Sequence, residues 1–140
     1  MKNVNTLISV CVASLLLLVS FDAKSTQPSD FGCDGSTVEQ HGCLSKLLSE
    51  SDKELNTTYQ SLIRLVRSHG EEWVQDLRAA EKKWIEFREL NCNFYGTYLK
   101  GGSGEGLYFS ACKLRMTRER AAELKKKQQL LIERGYQEVK

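Results

Sequence analysis

Cysteine, histidine and carboxylate side chains are the groups in this 140-residue chain that could do chemistry. Of the five cysteines, Cys33, Cys43, Cys92 and Cys112 lie downstream of an N-terminal apolar run, and Cys11 lies inside it. Zinc would need closely spaced thiolate or imidazole ligands. The spacings C-x9-C and C-x19-C do not supply them, and neither His41 nor His69 stands near enough to complete a set. No metal ligand is assigned, and both histidines read as surface or helix-end residues. Acid–base chemistry would need two carboxylates in a dry, shaped site. Glu50, Glu54, Glu81 and Glu86 sit on helical faces of the kind that water normally covers, and a domain this small leaves little room for a sugar cleft. Neither histidine has an evident partner. The sequence therefore predicts no catalytic residue, no cofactor and no enzyme. Disulfide formation is the chemistry left to the cysteines.

That chemistry needs an oxidising compartment. Residues 1–25 carry Lys2, an apolar run from Leu7 to Val19, and small residues at Ala23 and Ser25. This is the layout of a secretory signal peptide, cut near Ala23 or Ser25, and too short to span a membrane comfortably. An uncleaved anchor is the rival reading, because Phe21 and Asp22 fit a cleavage region poorly. Cys11 follows Val10 within the run, which does not suit lipidation. Cleavage would turn an odd cysteine count into four, as a disulfide framework requires. The expected location is periplasmic or secreted. Charge adds a polarity: nine basic residues against thirteen acidic from Thr26 to Cys112, but nine against four from Lys113 to Lys140. The basic end could meet an anionic surface, although a solvated helix face is the simpler reading, and membrane contact stays open. Nucleic acid is not an expected partner, since no aromatic residues interleave the basic run.

The elements that must hold the cysteines are helices. Leu44, Leu48, Leu55, Tyr59, Leu62 and Val66 recur at steps of three or four, with one step of seven across the polar gap at Ser51 and Asp52. Gly70 marks a stop, and Ser68 with Glu71 could form a capping box for the next helix. There Trp73, Leu77, Ala80, Trp84, Phe87, Asn91, Phe94 and Tyr98 alternate four and three, a pattern that predicts a packed seam. A third helix begins near Leu107 and thins at Lys125 to Gln129. The reading is an all-α, antiparallel three-helix bundle stapled by two disulfides, with a flexible leader at 26–36, a helical domain at 37–124 and a basic helical tail at 125–140. A turn centred near Gly102 sets Cys92 opposite Cys112. The turn near Gly70 brings Cys43 to the same end as Cys92, so level alone leaves a Cys43–Cys92 bridge open. The local pairs Cys33–Cys43 and Cys92–Cys112 are preferred, because they leave no cysteine of the leader unpaired.

Cys33, Cys43, SDKELNTTYQSL (51–62), AEKKWIEFRELNC (80–92), GGS, Cys112 and TRERAAEL (117–124) follow in an order that resembles the lysozyme-inhibitor LprI N-terminal-domain family, from about Cys33 to Leu124. Asp52, Leu55, Asn56 and Tyr59 match its D-x-x-L-N-x-x-Y element. Trp84, Arg88 and Cys92 match W-x-x-x-R-x-x-x-C, and Thr117 with Arg120 fits a closing T-x-x-R. The resemblance implies a periplasmic or secreted helical protein, with lysozyme inhibition as the activity of one branch; no inhibitory motif comes with it. Physically, the matched residues read as framework. Pairing about His69 and about Gly102 brings Asp52, Trp84, Arg88 and Thr117 to one level, and a polar layer is expected in which Asp52 or Asn56 bonds Arg88 beneath Trp84. The turn Lys100, Gly101, Gly102, Ser103, Gly104, Glu105 is the candidate binding loop. Two functions follow. One is inhibition of a lysozyme-type muramidase by docking that loop at its cleft. The alternative is an envelope interaction or immunity-type module that binds another secreted protein through a helix face or the basic tail.

Overall fold

A computed structural model describes residues 26–98, 100–102 and 104–137; the expected signal peptide, residues 1–25, lies outside them. Three long helices make up the fold: α1 (Thr37–Arg67), α2 (Glu71–Tyr98) and α3 (Glu105–Glu133). A short 3-10 turn, Pro28–Phe31, precedes them, and no strand occurs among the described residues. No described helix is long and apolar enough to cross a membrane.

Each helix end has a local cause. Ser36 caps α1: its Oγ accepts from the Glu39 N–H, and the Glu39 carboxylate accepts the Ser36 N–H at 2.8 Å. This reciprocal box satisfies two amides that the first helical turn leaves orphaned. The Ser36 hydroxyl also donates to that carboxylate at 2.7 Å, and this bond, with the one from the Ser36 N–H, holds the Glu39 carboxyl below its ordinary value. Gly70, at φ 121°, takes the left-handed conformation that separates α1 from α2. Ser68 does not cap α2 as the sequence suggests. Its hydroxyl turns back to donate to the Leu65 carbonyl at 3.0 Å and meets His69 Nδ1 at 2.8 Å.

The third helix organises the bundle. α3 packs along most of α1 and much of α2, whereas α1 and α2 touch each other only sparsely. Bonds from Arg118 to Ser51 and from Gln128 to Ser61 join residues at the same sequence offset, so α1 and α3 run parallel. α2 runs antiparallel to both. One core holds Leu55, Leu62, Ile63, Leu65, Val66, Val74, Ala121 and Leu124, and a second holds Cys33, Leu44, Leu107, Ala111 and Leu114. Leu44, Leu65, Leu114 and Leu124 are fully enclosed. Each removes a side chain from water for about 1.5–3 kcal/mol, which makes these layers the main stabilising term.

Both preferred disulfides are present, Cys33–Cys43 and Cys92–Cys112, each with a Cα separation of 5.6 Å. By closing short loops, each stabilises the fold by about 2–4 kcal/mol. The segment read as a flexible leader is docked. Pro28 and Cys33 are buried, Phe31 lies beneath the Arg118 guanidinium, and Arg115 donates to the Thr26 hydroxyl at 3.0 Å. A half-cystine that must reach the core draws its neighbours down with it. The far end does not thin out at Lys125 either: Leu131 and Tyr136 pack on the first core, and Tyr136 stacks on His69 with 3.9 Å between ring centroids.

One sequence expectation is overturned on α2. Trp73, Ala80, Phe87 and Phe94 do not form a buried seam; Phe87 is 57% exposed and Phe94 65%. The inward line is Val74, Leu77, Glu81, Trp84, Arg88 and Cys92. The phase is set by the fully buried Cys92, bonded to Cys112, and by two ionic side chains that a hydrophobic count treats as outward-facing.

Candidate functional site

The inward line of α2 builds an ionic core around Trp84. Arg88 is buried and reaches both neighbouring helices: its Nη1 donates to Asp52 Oδ1 at 2.8 Å on α1 and to Thr117 Oγ1 at 2.7 Å on α3. Its Nη2 donates to Glu89 at 3.2 Å, and Glu89 also receives Lys113 at 3.1 Å. The Arg88 guanidinium lies 5.3 Å from the Trp84 ring centroid. Asn56, the other expected partner, is exposed and has no bond to Arg88. Asp52, Trp84, Arg88 and Thr117 thus meet at one level, and Asn56 stands at its rim. Arg88 Nε is buried without a hydrogen-bond partner. The cation–π contact of the guanidinium with Trp84 offsets part of the cost of burying its charge.

A second pair lies one turn away. Arg120 Nε and Nη2 both donate to Glu81 Oε2, at 3.0 and 2.9 Å, and Nη1 donates to Glu123 at 2.8 Å. Glu81 and Arg120 are only 7% and 8% exposed. Burial works against the Arg120 charge, but bonds to Glu123 and Glu81 outweigh it and leave the guanidinium above its ordinary value. Arg120 also faces Trp84, at 5.7 Å. Sequence reasoning placed Glu81 among the solvated carboxylates; the structure corrects that. The available signal was spacing: stepping back from an inward Cys92 by four, four, three and four passes through Arg88, Trp84, Glu81 and Leu77.

Every acid among these groups is held by a cation, and no three His, Cys, Asp or Glu residues converge on a metal-sized site among the described residues. Asp52, Asn56, Tyr59, Trp84 and Arg88 line an open cleft of about 510 Å³ between α1 and α2. It exists because those two helices touch so little.

The turn between α2 and α3 lies at the other end of the Cys92–Cys112 brace. Met116 Sδ packs 3.6 Å from Cys92 Sγ, and the Asn91 amide donates to that thioether at 3.3 Å, so the base of the hairpin is filled. Gly101 adopts φ 85°, and its N–H donates to the Glu105 carboxylate at 3.1 Å. Glu105 is therefore an internal clasp of the turn. Lys100, Gly101 and Gly102 are exposed, Gly104 is the N-cap of α3, and Ser103 lies outside the described residues. Behind Gly106, a methyl group would come within 3.0 Å of His41, so α3 starts in close contact with α1. Asn93, Thr97, Lys100 and Phe109 line an open groove of about 630 Å³ beside the turn.

Part of the charge at the basic end of the chain is paired. Lys125 pairs with Glu54 across to α1, Lys127 with Glu123, and Arg115 with Glu119. Large apolar side chains stand out elsewhere, with Leu90 70% exposed between Phe87 and Phe94.

Comparison with known proteins agrees with this geometry. The family model described as lysozyme inhibitor LprI matches residues 33–124, from the first disulfide cysteine to the last core leucine of α3. An uncharacterized protein of Rhizobium meliloti (strain 1021) is 30% identical over 123 residues, covering 80% of this chain and 88% of its own length. No solved structure matches the chain.

Proposed function

The chain belongs to the lysozyme inhibitor LprI family, and from that premise we propose that it inhibits a lysozyme-type muramidase by docking the turn Lys100 to Glu105 at the enzyme's cleft. The observation that carries this reading is the way the turn is held. Cys92–Cys112 clamps its base, and the Glu105 clasp to Gly101 restrains it from within. A loop ordered before contact loses less conformational entropy on binding. Lys100 projects from it as an exposed cation, and glycosidases of this kind work with a pair of carboxylates that an ammonium group can engage. The two disulfides and the family fit an oxidising compartment outside the cytoplasm, which the signal-peptide reading of residues 1–25 would supply.

A turbidity assay tests it. Micromolar protein should slow muramidase lysis of bacterial cells. Lys100→Glu should weaken the effect at least tenfold with an unchanged melt, because the side chain is exposed. Lysis at the uninhibited rate with the parent protein would remove the reading for that enzyme.

A second reading, a module that binds another secreted protein through a helix face, draws on the exposed Leu90 and Phe87 of α2. The basic tail supports it less, since Lys125 and Lys127 are already paired.

A further inference from the structure

The turn by itself is too small for a stable inhibitory contact. Specific protein interfaces bury about 800 Å² on each partner, and this turn offers mainly glycine backbone and one long side chain. The rest of the contact must lie beside it. α2 leads into the turn, and its solvent face carries Phe87, Leu90 and Phe94, exposed by 57, 70 and 65%. Steps of three and four place them on one stripe, which Thr97 continues toward Lys100. At the helical rise, Phe87 to Thr97 spans about 15 Å. The three apolar side chains present about 400 Å², within the range of the largest apolar patch on a typical monomer, which is often functional.

The charges around the stripe neutralise one another. Lys83 bonds Glu86 at 2.7 Å, and Lys113 bonds Glu89 at 3.1 Å. The stripe is therefore an apolar contact surface, with the cation of Lys100 beyond its end. Substrate clefts combine largely apolar walls with a few placed polar groups, and a cation flanked by an apolar stripe matches both. We propose, resting on the muramidase reading above, that Phe87, Leu90 and Phe94 form the second half of the inhibitory surface and dock on an apolar ledge bordering the enzyme's acidic cleft. A second copy of this chain fits less well: stripe against stripe would bury only about 400 Å² per copy, roughly half of what a stable interface needs.

The experiment titrates the parent, Leu90→Asp and Phe87→Ser against the muramidase in the lysis assay and by calorimetry. Leu130→Asp, at a half-exposed apolar position (47%), serves as a control at the opposite end of the bundle. The expected result is a loss of affinity of roughly 30-fold or more for the two stripe variants, as for central interface residues. Their melts and the Leu130→Asp affinity should match the parent. Inhibition by Leu90→Asp at parental strength overturns the inference while leaving the turn reading intact. A parent that binds no muramidase removes both. Sedimentation adds a separate arm: a micromolar dimer that Leu90→Asp dissolves without loss of inhibition assigns the stripe to a second copy, and also overturns the inference.

Discussion

Arg88 and Arg120 approach Trp84, and each is matched to acids of unequal burial. For Arg120 the matching acid is Glu81, equally enclosed, so removing it leaves a buried cation held only by the half-exposed Glu123. Glu81→Gln should therefore cost up to about 3 kcal/mol in urea unfolding, the low end for a broken buried pair because Glu123 remains, whereas replacing both residues with well-packed apolar side chains should recover most of that loss. For Arg88 the matching acid is Asp52, whose side chain remains 46% exposed. Arg88→Ala removes bonds to two helices and the contact with Trp84, so thermal melts should show a loss of several kcal/mol, again on the scale of a broken buried pair. Arg88→Lys should rescue only part, because one ammonium group cannot reproduce a planar fork that also packs on an indole. A parental melt for Arg88→Ala would mean that the layer contributes nothing. The roles of Asp52 and Asn56 could not be separated by spacing, since both lie near the same level. They separate once the helix rotation is known: Asp52 points at Arg88 and Asn56 at solvent.

At the scale of the elements, α2 is the helix whose surface was hardest to read. Its aromatics repeat at alternating four and three, yet the bundle buries the neighbouring line and leaves Phe87 and Phe94 outside. A hydrophobic count ranks Phe above Glu and Arg at every position, and it has no term for a charge that finds its partner on another helix. The third helix posed the opposite problem. Its apolar pattern weakens after Leu124, but α3 continues to Glu133, with Leu131 and Tyr136 returning to the core. Truncation after Leu124 should therefore lower the melting temperature by several degrees, a shift that circular dichroism would detect. An unchanged melt would show those contacts to be idle. A binding test of the last segment is consequently better made by charge reversal at the exposed Lys126 than by deletion.

Across the whole molecule, ion pairs between helices and within α3 add to the apolar layers, and this gives stability a pH dependence. Glu123 is held below the ordinary glutamate value of 4.5, first by its bond to Lys127 and then by Arg120. A carboxyl depressed in the folded state stabilises fully above its unfolded value, and loses that contribution as pH falls through the folded one. The melting temperature should thus hold near neutrality and drop below about pH 4.5. Glu123→Gln should be less stable than the parent at pH 7 and show a shallower acid slope; half-exposure of this side chain keeps the difference small. Parallel acid slopes for the two proteins would remove the assignment. What the sequence determined by itself was whatever is encoded in short range: the helical periods, the glycine stops at Gly70 and beyond Lys100, and a preference for local cysteine pairs that left Cys43–Cys92 open until the structure showed Cys33–Cys43 and Cys92–Cys112. Only the tertiary structure decided the rotation of α2, the burial of Glu81 with Arg120, the choice of Asp52 over Asn56, and the docking of Pro28 and Cys33. Each of these depends on which faces meet across helices distant in sequence, and one residue of phase exchanges a buried ion pair for an exposed phenylalanine.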